Sequence, residues 1–487
     1  MHSPLQTDLY QLTMAAAYWQ AGKADQESVF HLFFRRLPFK GGYAIAAGLG
    51  PALEWLSDFK FSSGEIDYLS TLRTKNGHPM FQEDFLEHLA GLRLDLDIEA
   101  VPEGSAVFAH EPLLRVQGPI LHAQLVETAL LNIINFQTLI ATKAARVCHA
   151  AAGSPVFEFG YRRAQGADGG LSASRAAWIG GCCGTSNVLA GKIHGIPVRG
   201  THAHSWVMSF DDEQDAFDRY ADAMPDNSTL LVDTYDTLTG VDRAIETARR
   251  LRERGHQLSG IRLDSGDLAW LSQQARARLD AAGFPEVAIV ASNDLDEHLI
   301  ESLRHQNAKI DLWGVGTNLV TAADQPALGG VYKLAALRRA DGTWQPRLKL
   351  SEQRAKSSIP GRLQARRFHL DGEFVGDAIH DIDHPLPDAI TIIDPDEPLR
   401  RKAIPKGADF IDLLQPVMKN GALLGGIEAP TAARDRCQES LAKLHPGILR
   451  LTNPHRYAAG MELGLHERRE QMIQLQQTSH RGSQENQ

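Results

Sequence analysis

The sequence predicts an α/β protein whose central part is a barrel of parallel strands. Between residues 155 and 337, short β-branched runs alternate with runs whose apolar residues recur at helical spacing. This alternation is typical of parallel strands joined by helical crossovers. The repeat of roughly thirty residues is that of βα units and favours a barrel over a sandwich.

Each predicted element comes from its own run of residues. Strands are expected at residues 156–160, 196–200, 230–233, 260–264, 287–291, 310–314 and 331–334. Helices are expected at residues 174–194, 212–223, 239–255, 268–283 and 295–306. If the strands are parallel, their carboxyl ends meet at one rim, where α/β proteins collect their functional groups.

Composition excludes several classes of function. The chain has 487 residues, 43% of them hydrophobic, and a formal net charge of -10, which argues against a nucleic-acid binder with a broad basic surface. The cysteines Cys148, Cys182, Cys183 and Cys437 show no CxxC spacing, so we expect reduced thiols in the cytoplasm. No signal-peptide pattern is present, and the most apolar stretch, 125–141, is interrupted by polar residues, so no membrane segment is predicted.

Charged, polar or glycine residues stand at or just after the ends of six predicted strands. In chain order they are Tyr161, Arg162 and Arg163; Thr201 and His204; Asp233 and Asp236; Arg262, Asp264, Ser265 and Asp267; Ser292, Asn293 and Asp294; Gly314, Gly316 and Thr317. Helix capping is the alternative for any one of them, above all for Asp236 and Asp294. Six such strand ends exceed what capping requires, so the pattern favours a binding site.

Three segments at this rim have residue types suited to phosphate and metal chemistry. Residues 313–317, WGVGT, leave backbone N–H groups open to a phosphate, although a tight turn uses glycine equally well. In residues 262–267, Asp264 and Asp267 are suited to hold Mg²⁺ through water, with a surface salt bridge to Arg262 as the alternative. Residues 201–204 contribute two histidines, for which a solvated loop is the alternative. Together these segments predict a site for a phosphorylated, anionic sugar with a metal.

The order of these motifs resembles that of the nicotinate phosphoribosyltransferases. The resemblance covers residues 5–440 and rests on ten stretches: TDLYQLTM at 7–14, FHLFFRRLPF at 30–39, RRAQGADGGLSASR at 162–175, GTSNVLAGK at 184–192, GTHAHS at 200–205, LVDTYDT at 231–237, IRLDSGDL at 261–268, ASNDLDE at 291–297, GVGT at 314–317 and PALGGVYKL at 326–334.

The resemblance implies an irregular α/β barrel of the type II phosphoribosyltransferases at residues 141–337. Beside it, residues 1–140 and 338–440 would form one discontinuous α/β domain. Residues 441–487 are expected to form a helical segment and a polar, disordered tail from His466 onward. The stretch 349–361 is expected to be a basic loop that reaches anionic substrate or, alternatively, a solvated hairpin.

The resemblance also implies ATP-assisted transfer of phosphoribose from phosphoribosyl pyrophosphate to nicotinate, with Mg²⁺, which is a step of NAD salvage. In similar enzymes ATP transiently phosphorylates a histidine, and His204 matches it, with His202 as a neighbour. Asp233 is expected to orient the His204 ring through a hydrogen bond, and Asp264 to hold the ribose or the metal. Because the transferred ribose becomes cationic, the enzyme needs charge stabilisation more than a strong base.

The resemblance implies substrate-binding roles for the other predicted site residues. Arg262, with Thr201 beside it, is expected to bind the pyridine ring or its carboxylate. Tyr10 matches a ring-stacking tyrosine from the partner subunit, which implies a homodimer with shared active sites; a core aromatic residue on a helix face is the alternative. The further predicted contacts are Ser292, the phosphate-binding Gly314, Gly316 and Thr317, and one or both of Arg162 and Arg163.

Ser186 bears on the choice of substrate. Nicotinamide-using enzymes resemble residues 184–188 but carry an aspartate where Ser186 stands. A carboxylate there accepts from an amide and repels nicotinate, so the serine favours nicotinate. The alternatives are a nicotinamide enzyme, a non-catalytic metabolite-binding relative, and a lyase or isomerase that would need a lysine such as Lys192 or Lys333 at a strand end.

Overall fold

The protein is described here by a computed structural model that covers residues 3–350 and 358–484, with residues 479–484 described by backbone alone. The strands are β1 Glu27–Phe34, β2 Ala44–Ile45, β3 Asp97–Ala100, β4 Ala106–Val107, β5 Leu114–Pro119, β6 Val156–Glu158, β7 Gly184–Thr185, β8 Thr229–Leu231, β9 Gly260–Leu263, β10 Ala288–Ala291, β11 Leu312–Val315, β12 Gly330–Arg338, β13 Trp344–Pro346, β14 Leu363–Leu370, β15 Glu373–Asp381, β16 Thr391–Ile393, β17 Arg401–Ala403, β18 Asp409–Asp412, β19 Gln415–Lys419, β20 Ala422–Leu423 and β21 Ala459–Glu462.

The helices are α1 Leu9–Gln20, α2 Leu49–Ser57, α3 Ser63–Thr71, α4 Glu83–Gly91, α5 Ile120–Leu125, α6 Glu127–Ala151, α7 Gly166–Ile179, α8 Val188–His194, α9 His204–Met208, α10 Glu213–Ala223, α11 Thr237–Glu253, α12 Leu268–Ala281, α13 Glu297–His305, α14 Thr317–Val320, α15 Pro430–Ala442 and α16 Leu463–Gln484. Short 3₁₀ turns span Pro38–Lys40 and Tyr161–Arg163. Within the described residues, no helix is long and apolar enough to cross a membrane.

The chain forms two compact units. One consists of residues 1–139 and 327–487, and the other of residues 140–326. We call them the discontinuous unit and the barrel unit.

The barrel unit is built on parallel strands in the order β7-β6-β11-β10-β9-β8. Its strands are short and buried, because helical crossovers cover the sheet, as in other parallel sheets. Residues 196–204 connect the two edges of this sheet. Val198 pairs with Thr185 of β7, and His202 Nε2 accepts a hydrogen bond from Leu231 N of β8 at 3.1 Å. This closure makes the fold an irregular α/β barrel, as predicted.

Two predicted elements of the barrel differ in the structure. The single helix expected at residues 174–194 is divided into α7 and α8, with β7 between them, because Gly181 adopts a left-handed φ of 111° that ends the helical path. The strand expected at residues 196–200 is reduced to the isolated bridge at Val198. Pro197 precedes it and has no N–H to donate to a ladder.

The last predicted barrel strand belongs to the discontinuous unit instead. Residues 331–334 lie in β12, which pairs antiparallel with β1 in the sheet ordered β13-β12-β1-β5-β3-β19-β20. The boundary predicted after residue 337 therefore lies after residue 326. The alternation of β-branched residues is alike in both kinds of strand, so the pattern could not tell which sheet β12 joins.

A second sheet of the discontinuous unit has the order β17-β16-β21-β15-β14-β18. Its strand β21 comes from the region predicted to lie outside the domain, residues 441–487, so this region is part of the unit. The tail predicted to be disordered from His466 continues as α16 up to Gln484. Leu465 anchors it in a buried cluster with Leu363 and Met461. Residues 351–357, the interior of the predicted basic loop, and residues 485–487 lie outside the described residues.

Candidate active site

The carboxyl ends of the barrel strands surround a cavity of about 380 Å³. Parallel strands bring their ends to one rim, which is why residues far apart in the chain meet here. Ten predicted residues line it: Arg162, Arg163, Ser186, Thr201, Arg262, Asp264, Ser292, Gly314, Gly316 and Thr317. The other lining residues are Phe159, Tyr161, Gly200, His202, Ala203, Asn293 and Asp294.

Arg262 is held rigidly at the end of β9. Its Nε donates to Ser292 Oγ at 2.8 Å and its Nη1 to Thr201 Oγ1 at 3.1 Å. Its Nη2 donates to Asp264 Oδ1 at 2.9 Å, and the Ser292 hydroxyl donates to the same oxygen. A guanidinium has five N–H donors, so these three bonds leave two donors for a ligand. Arg262 is thus oriented to receive a planar anion such as a carboxylate.

Asp233 connects the ends of β8 and β9. Its Oδ2 accepts from the backbone N–H of Asp264 at 2.9 Å and from Ser265 Oγ at 2.6 Å. Its Oδ1 is buried and has no hydrogen-bond partner among the described residues. The side chain as a whole is 1% exposed, so this oxygen holds negative charge away from water and directs it toward its neighbour His204.

His204 begins α9 and has a 40% exposed side chain. Its Nε2 lies 3.9 Å from Asp233 Oδ1 and 3.7 Å from Asp264 Oδ2, while its Nδ1 lies 3.2 Å from Thr234 Oγ1. The predicted hydrogen bond from the imidazole to Asp233 is therefore wrong for this structure. Asp233 Oδ2 already accepts hydrogen bonds from the residues that follow β9. Its Oδ1 lies too far from the imidazole for a hydrogen bond. The ring instead faces two carboxylates with Nε2 and a hydroxyl with Nδ1.

His202 has a structural position rather than a reactive one. Its Nε2 accepts from Leu231 N, and its Nδ1 lies 3.3 Å from the carbonyl of Ala203, which fixes the proton on Nδ1. Burial and then the charge of Arg262 lower the pKa of His202, although the Ala203 carbonyl opposes them. A neutral His202 therefore ties the loop of His204 to β8.

The backbone of Ser186 is held by Glu158, a buried residue. Glu158, at the end of β6, accepts from Ser174 Oγ at 2.8 Å and from Thr185 Oγ1 at 2.6 Å. Its backbone carbonyl accepts from Ser186 N at 2.9 Å. Asn187 then caps α8 by accepting from two backbone N–H groups of that helix. These bonds hold the Ser186 backbone in place at the edge of the cavity.

Gly314 lies in β11 and Gly316 directly after it, and both pack closely against Phe159. A Cβ on Gly314 would lie 2.7 Å from Cδ2 of Phe159, which also lines the cavity. Gly316 then precedes the short helix α14, which begins at Thr317. The packing against Phe159 explains why Gly314 is glycine, and Gly316 and Thr317 line the same cavity.

Two predicted aspartates are helix caps. Asp236 accepts from Thr239 N at the start of α11, and Asp267 accepts from Trp270 N at 3.1 Å at the start of α12. Asp267 does not line the cavity, so its predicted role as a metal ligand is not supported by its position. Asp294 lies at the cavity with φ 34°, and the cap of α13 is Asp296.

Mg²⁺ fits this site only in part through protein groups. Among the described residues no three or more His, Cys, Asp or Glu side chains form a ready ligand cluster. The unpaired Oδ1 of Asp233 and the nearby Asp264 nevertheless form an anionic pair beside His204. Mg²⁺ is usually held by one or two carboxylates, waters and substrate phosphates, and these two residues suit that mode.

Tyr10 lies in the discontinuous unit, on α1, and not in the barrel unit. Its side chain is 48% exposed, so the alternative of a core aromatic residue is wrong. Neighbouring Leu9 and Met14 are also exposed, at 50% and 37%.

Thr234 and Phe159 are the main site residues that the sequence analysis missed. Each adjoins a residue that was recognised, Asp233 in one case and the Tyr161–Arg163 turn in the other. An aromatic residue and a threonine beside a strand are ordinary core residues, so only the geometry reveals that they face the cavity or the histidine.

Comparisons with known proteins cover nearly the whole chain. The family models for the nicotinate phosphoribosyltransferase (NAPRTase) N-terminal domain, family and C-terminal domain match residues 5–135, 155–346 and 364–469. The chain is 47% identical to nicotinate phosphoribosyltransferase of Bacillus subtilis, over 76% of this chain and 75% of that protein. It is 35% identical to the human enzyme of that name, over 93% and 94% of the two chains.

Solved structures agree with the sequence relatives. The crystal structure of human nicotinic acid phosphoribosyltransferase superposes with a TM-score of 0.82 at 32% identity, covering 96% of this chain and 99% of that one. A nicotinate-nucleotide pyrophosphorylase from Pyrococcus furiosus has a TM-score of 0.69 at 21% identity, over 90% and 95% of the chains, and shows the shared fold. Matches along the full chain in both sequence and structure show that this protein belongs to the nicotinate phosphoribosyltransferase family of NAD salvage enzymes.

Proposed function

We propose that this protein transfers phosphoribose from phosphoribosyl pyrophosphate to nicotinate, forming nicotinate mononucleotide and pyrophosphate. ATP assists the reaction by phosphorylating His204, so the enzyme is of the ligase type, and we place it in the cytoplasm. The observation that carries the proposal is that Asp264, which lines the cavity, lies between a rigid arginine with two unused donors and His204. Asp233 is the second carboxylate beside that histidine.

Nicotinate binds through its carboxylate to Arg262 in this proposal. The two donors left on the guanidinium suit a bidentate contact, which a carboxylate accepts and the amide of nicotinamide cannot match. The neutral side chain of Ser186 lines the same cavity and adds no negative charge to repel the acid. Phe159 offers an aromatic surface for the pyridine ring. These features favour nicotinate over nicotinamide.

The phosphoryl acceptor is Nδ1 of His204. Because Nε2 faces the carboxylates of Asp233 and Asp264, the ring proton is favoured on Nε2, and the lone pair remains on Nδ1. The Thr234 hydroxyl is able to donate to that lone pair in the resting state. Attack by Nδ1 on the terminal phosphorus of ATP forms the N–P bond, breaks the bond to ADP and leaves positive charge on the ring. The two carboxylates stabilise that charge.

The phosphorylated sugar occupies the remainder of the cavity. The turn from Gly314 to Thr317 supplies backbone N–H groups for the 5′-phosphate, and Arg162 and Arg163 supply positive charge. Asp264 lies where it can stabilise the cationic ribose as pyrophosphate leaves. Mg²⁺ held near Asp233 and Asp264 would neutralise charge on the departing pyrophosphate.

The enzyme acts as a homodimer with shared active sites. Helix α8 begins two residues after Ser186. Its apolar residues Val188, Leu189 and Ile193 are 72%, 48% and 54% exposed. Apolar groups this exposed on one short helix mark a surface that another protein covers. We assign that surface to a second copy, whose exposed Tyr10 would stack on the pyridine ring.

Mixing two impaired variants tests the shared site. Tyr10→Ala and His204→Ala enzymes are purified separately, then mixed under conditions of subunit exchange. If Tyr10 serves the partner's site, each mixed dimer has one intact site, and ATP-stimulated activity returns. If Tyr10 serves its own subunit, mixing restores no activity.

The substrate assignment is tested by a mass-resolved assay of nicotinate, phosphoribosyl pyrophosphate and Mg²⁺, with and without ATP. The wild type should form nicotinate mononucleotide faster with ATP, and His204→Ala should lose that stimulation while keeping the slow reaction. Formation of product from nicotinamide but not from nicotinate would overturn the assignment of nicotinate as the substrate. Release of no pyrophosphate with either base would leave the metabolite-binding alternative.

A further inference from the structure

The discontinuous unit contains a cavity that the proposed reaction does not use. It has a volume of about 480 Å³ and is lined by residues of β15, β16, β17 and β21 and by the segment that leads into β21. The volume lies in the range of sites for small molecules and cofactors. Its lining combines an apolar part with a group of cations.

Four basic residues line this cavity. Arg400 directly precedes β17, Arg401 and Lys402 begin it, and Arg456 comes from the segment before β21. The acidic residues in the lining are Glu373 and Asp394. This excess of positive charge occurs in a chain whose formal net charge is -10. Arg456 is paired with Asp394 and Glu397, so the uncompensated positive charge lies on Arg400, Arg401 and Lys402.

Two of the cations are fixed and two are available. Arg456 Nη1 contacts Glu397 Oε1 at 2.7 Å, and Arg400 Nη2 donates to the Arg456 carbonyl at 3.1 Å. Arg401 uses only Nε, toward the Pro398 carbonyl at 3.1 Å, so its Nη groups are unused within the described structure. Lys402 has no hydrogen bond or ion pair to any residue of the described ranges. The free donors suit phosphate oxygens.

Edge protection is the simpler explanation for part of this charge. β17 is an edge strand, and basic residues there prevent pairing with other chains. That reason applies to Arg401 and Lys402. It does not apply to Arg456, which belongs to a separate segment and reaches the same cavity.

The apolar part of the cavity is rigid. Tyr457 stacks on Phe108 with ring centroids 4.0 Å apart, and its hydroxyl donates to Asp377 at 2.7 Å. Phe374 and buried Ile392 also line the cavity. A fixed aromatic and aliphatic surface next to cations matches a ligand with a flat apolar part and a charged part.

We propose that this cavity binds a nucleoside polyphosphate, with the phosphates on Arg401 and Lys402 and the base on the surface formed by Phe374, Ile392 and Tyr457. It is a second nucleotide site, separate from the barrel cavity where ATP would phosphorylate His204. Its occupancy is independent of that chemistry.

Hydrogen exchange of the full-length protein tests the site, because it reports each region separately. Deuterium uptake is followed in peptides covering residues 391–403 and 445–459 during titration with ATP, tripolyphosphate or adenosine. We expect ATP to protect both peptides, and Arg401→Ala/Lys402→Ala to weaken that protection by about tenfold or more in apparent affinity. Lys406→Ala is the matched control. It removes an exposed cation just beyond β17 that does not line the cavity, and its titration should follow that of the wild type.

The outcomes separate this site from the proposed reaction. Absence of ATP protection in the wild type, or unchanged protection in the double variant, overturns the site. Equal protection by tripolyphosphate and ATP overturns the role of the apolar surface. Protection that persists in His204→Ala supports a separate site, whereas loss of ATP-stimulated turnover in the same variant bears only on the phosphohistidine. Both replaced residues are exposed, so the double variant should melt at the wild-type temperature.

Discussion

Replacing Asp233 by asparagine tests how His204 is made reactive, because it removes one charge and keeps the shape of the side chain. Oδ2 of Asp233 accepts from Asp264 N and Ser265 Oγ, so the amide oxygen of asparagine will take that position. The –NH₂ group then takes the place of Oδ1, 3.9 Å from His204 Nε2 and beyond hydrogen-bond reach. The variant therefore removes a negative charge beside the ring without adding a hydrogen bond to it.

The size of the effect follows from the charge and the distance. Two unit charges about 4 Å apart interact by about 4 kcal/mol at an effective dielectric constant of about 20. Asp233 Oδ1 lies 3.9 Å from Nε2, but the His204 side chain is 40% exposed. Solvent screening therefore reduces the stabilisation of the phosphorylated, cationic ring to about 2 kcal/mol. This corresponds to phosphorylation about thirtyfold slower than in the wild type.

The assay is rapid-quench measurement of phosphoenzyme formation from radiolabelled ATP. Ser265→Ala is the matched control, because it removes a hydrogen bond to the same Oδ2 and keeps the charge; its rate should stay within about threefold of the wild type. Asp233→Asn should also retain the slow, ATP-independent turnover. An Asp233→Asn enzyme that is phosphorylated at the wild-type rate would refute the reasoning, as would an equal loss in Ser265→Ala.

Three further predictions concern substrate choice, cavity shape and stability. Ser186→Asp should lower kcat/KM for nicotinate by about tenfold or more through charge repulsion, while Ser186→Ala changes it little; equal losses in a product assay would contradict this. Gly314→Ala should push the Phe159 ring into the cavity and raise KM for nicotinate with little change in melting temperature, since its Cβ would lie 2.7 Å from that ring. Burial, and then the charge of Arg115, lower the pKa of His31 to about 3, below the unfolded value of about 6.5. The folded state thus resists protonation, and stability present above pH ~6.5 is lost as the pH falls toward 3; denaturation curves of wild type and His31→Gln should differ in slope by about 1.4 kcal/mol per pH unit, and parallel slopes would contradict it.

Local pattern was enough to predict the barrel and most of its rim. The helices α10 to α13 begin within about two residues of their predicted positions, because acidic caps such as Asp212 and Asp296 mark a helix start through short-range hydrogen bonds. The parallel strands were recognisable because buried strands are continuously apolar. Once the strands are parallel, geometry alone brings their polar ends together, so nine of the ten predicted cavity residues could be named from the strand ends. The tenth, Ser186, was named from the family resemblance.

Which sheet a strand joins, and which atoms meet, depends on contacts between distant parts of the chain. Residues 331–334 look like a barrel strand, yet β12 pairs with β1, a residue stretch about 300 positions away. The pairing depends on long-range hydrogen bonds that no local window contains.

The family resemblance, the barrel, and the presence of His204, Asp233 and Arg262 at strand ends could all be read from the sequence, because residue type and periodicity are local properties. The orientation of those groups was a tertiary result. Asp233 Oδ2 is taken by the end of β9, which leaves Oδ1 unpaired and 3.9 Å from the imidazole. Hydrogen bonds between separate strands set the direction of a side chain, and only the folded chain brings those strands together.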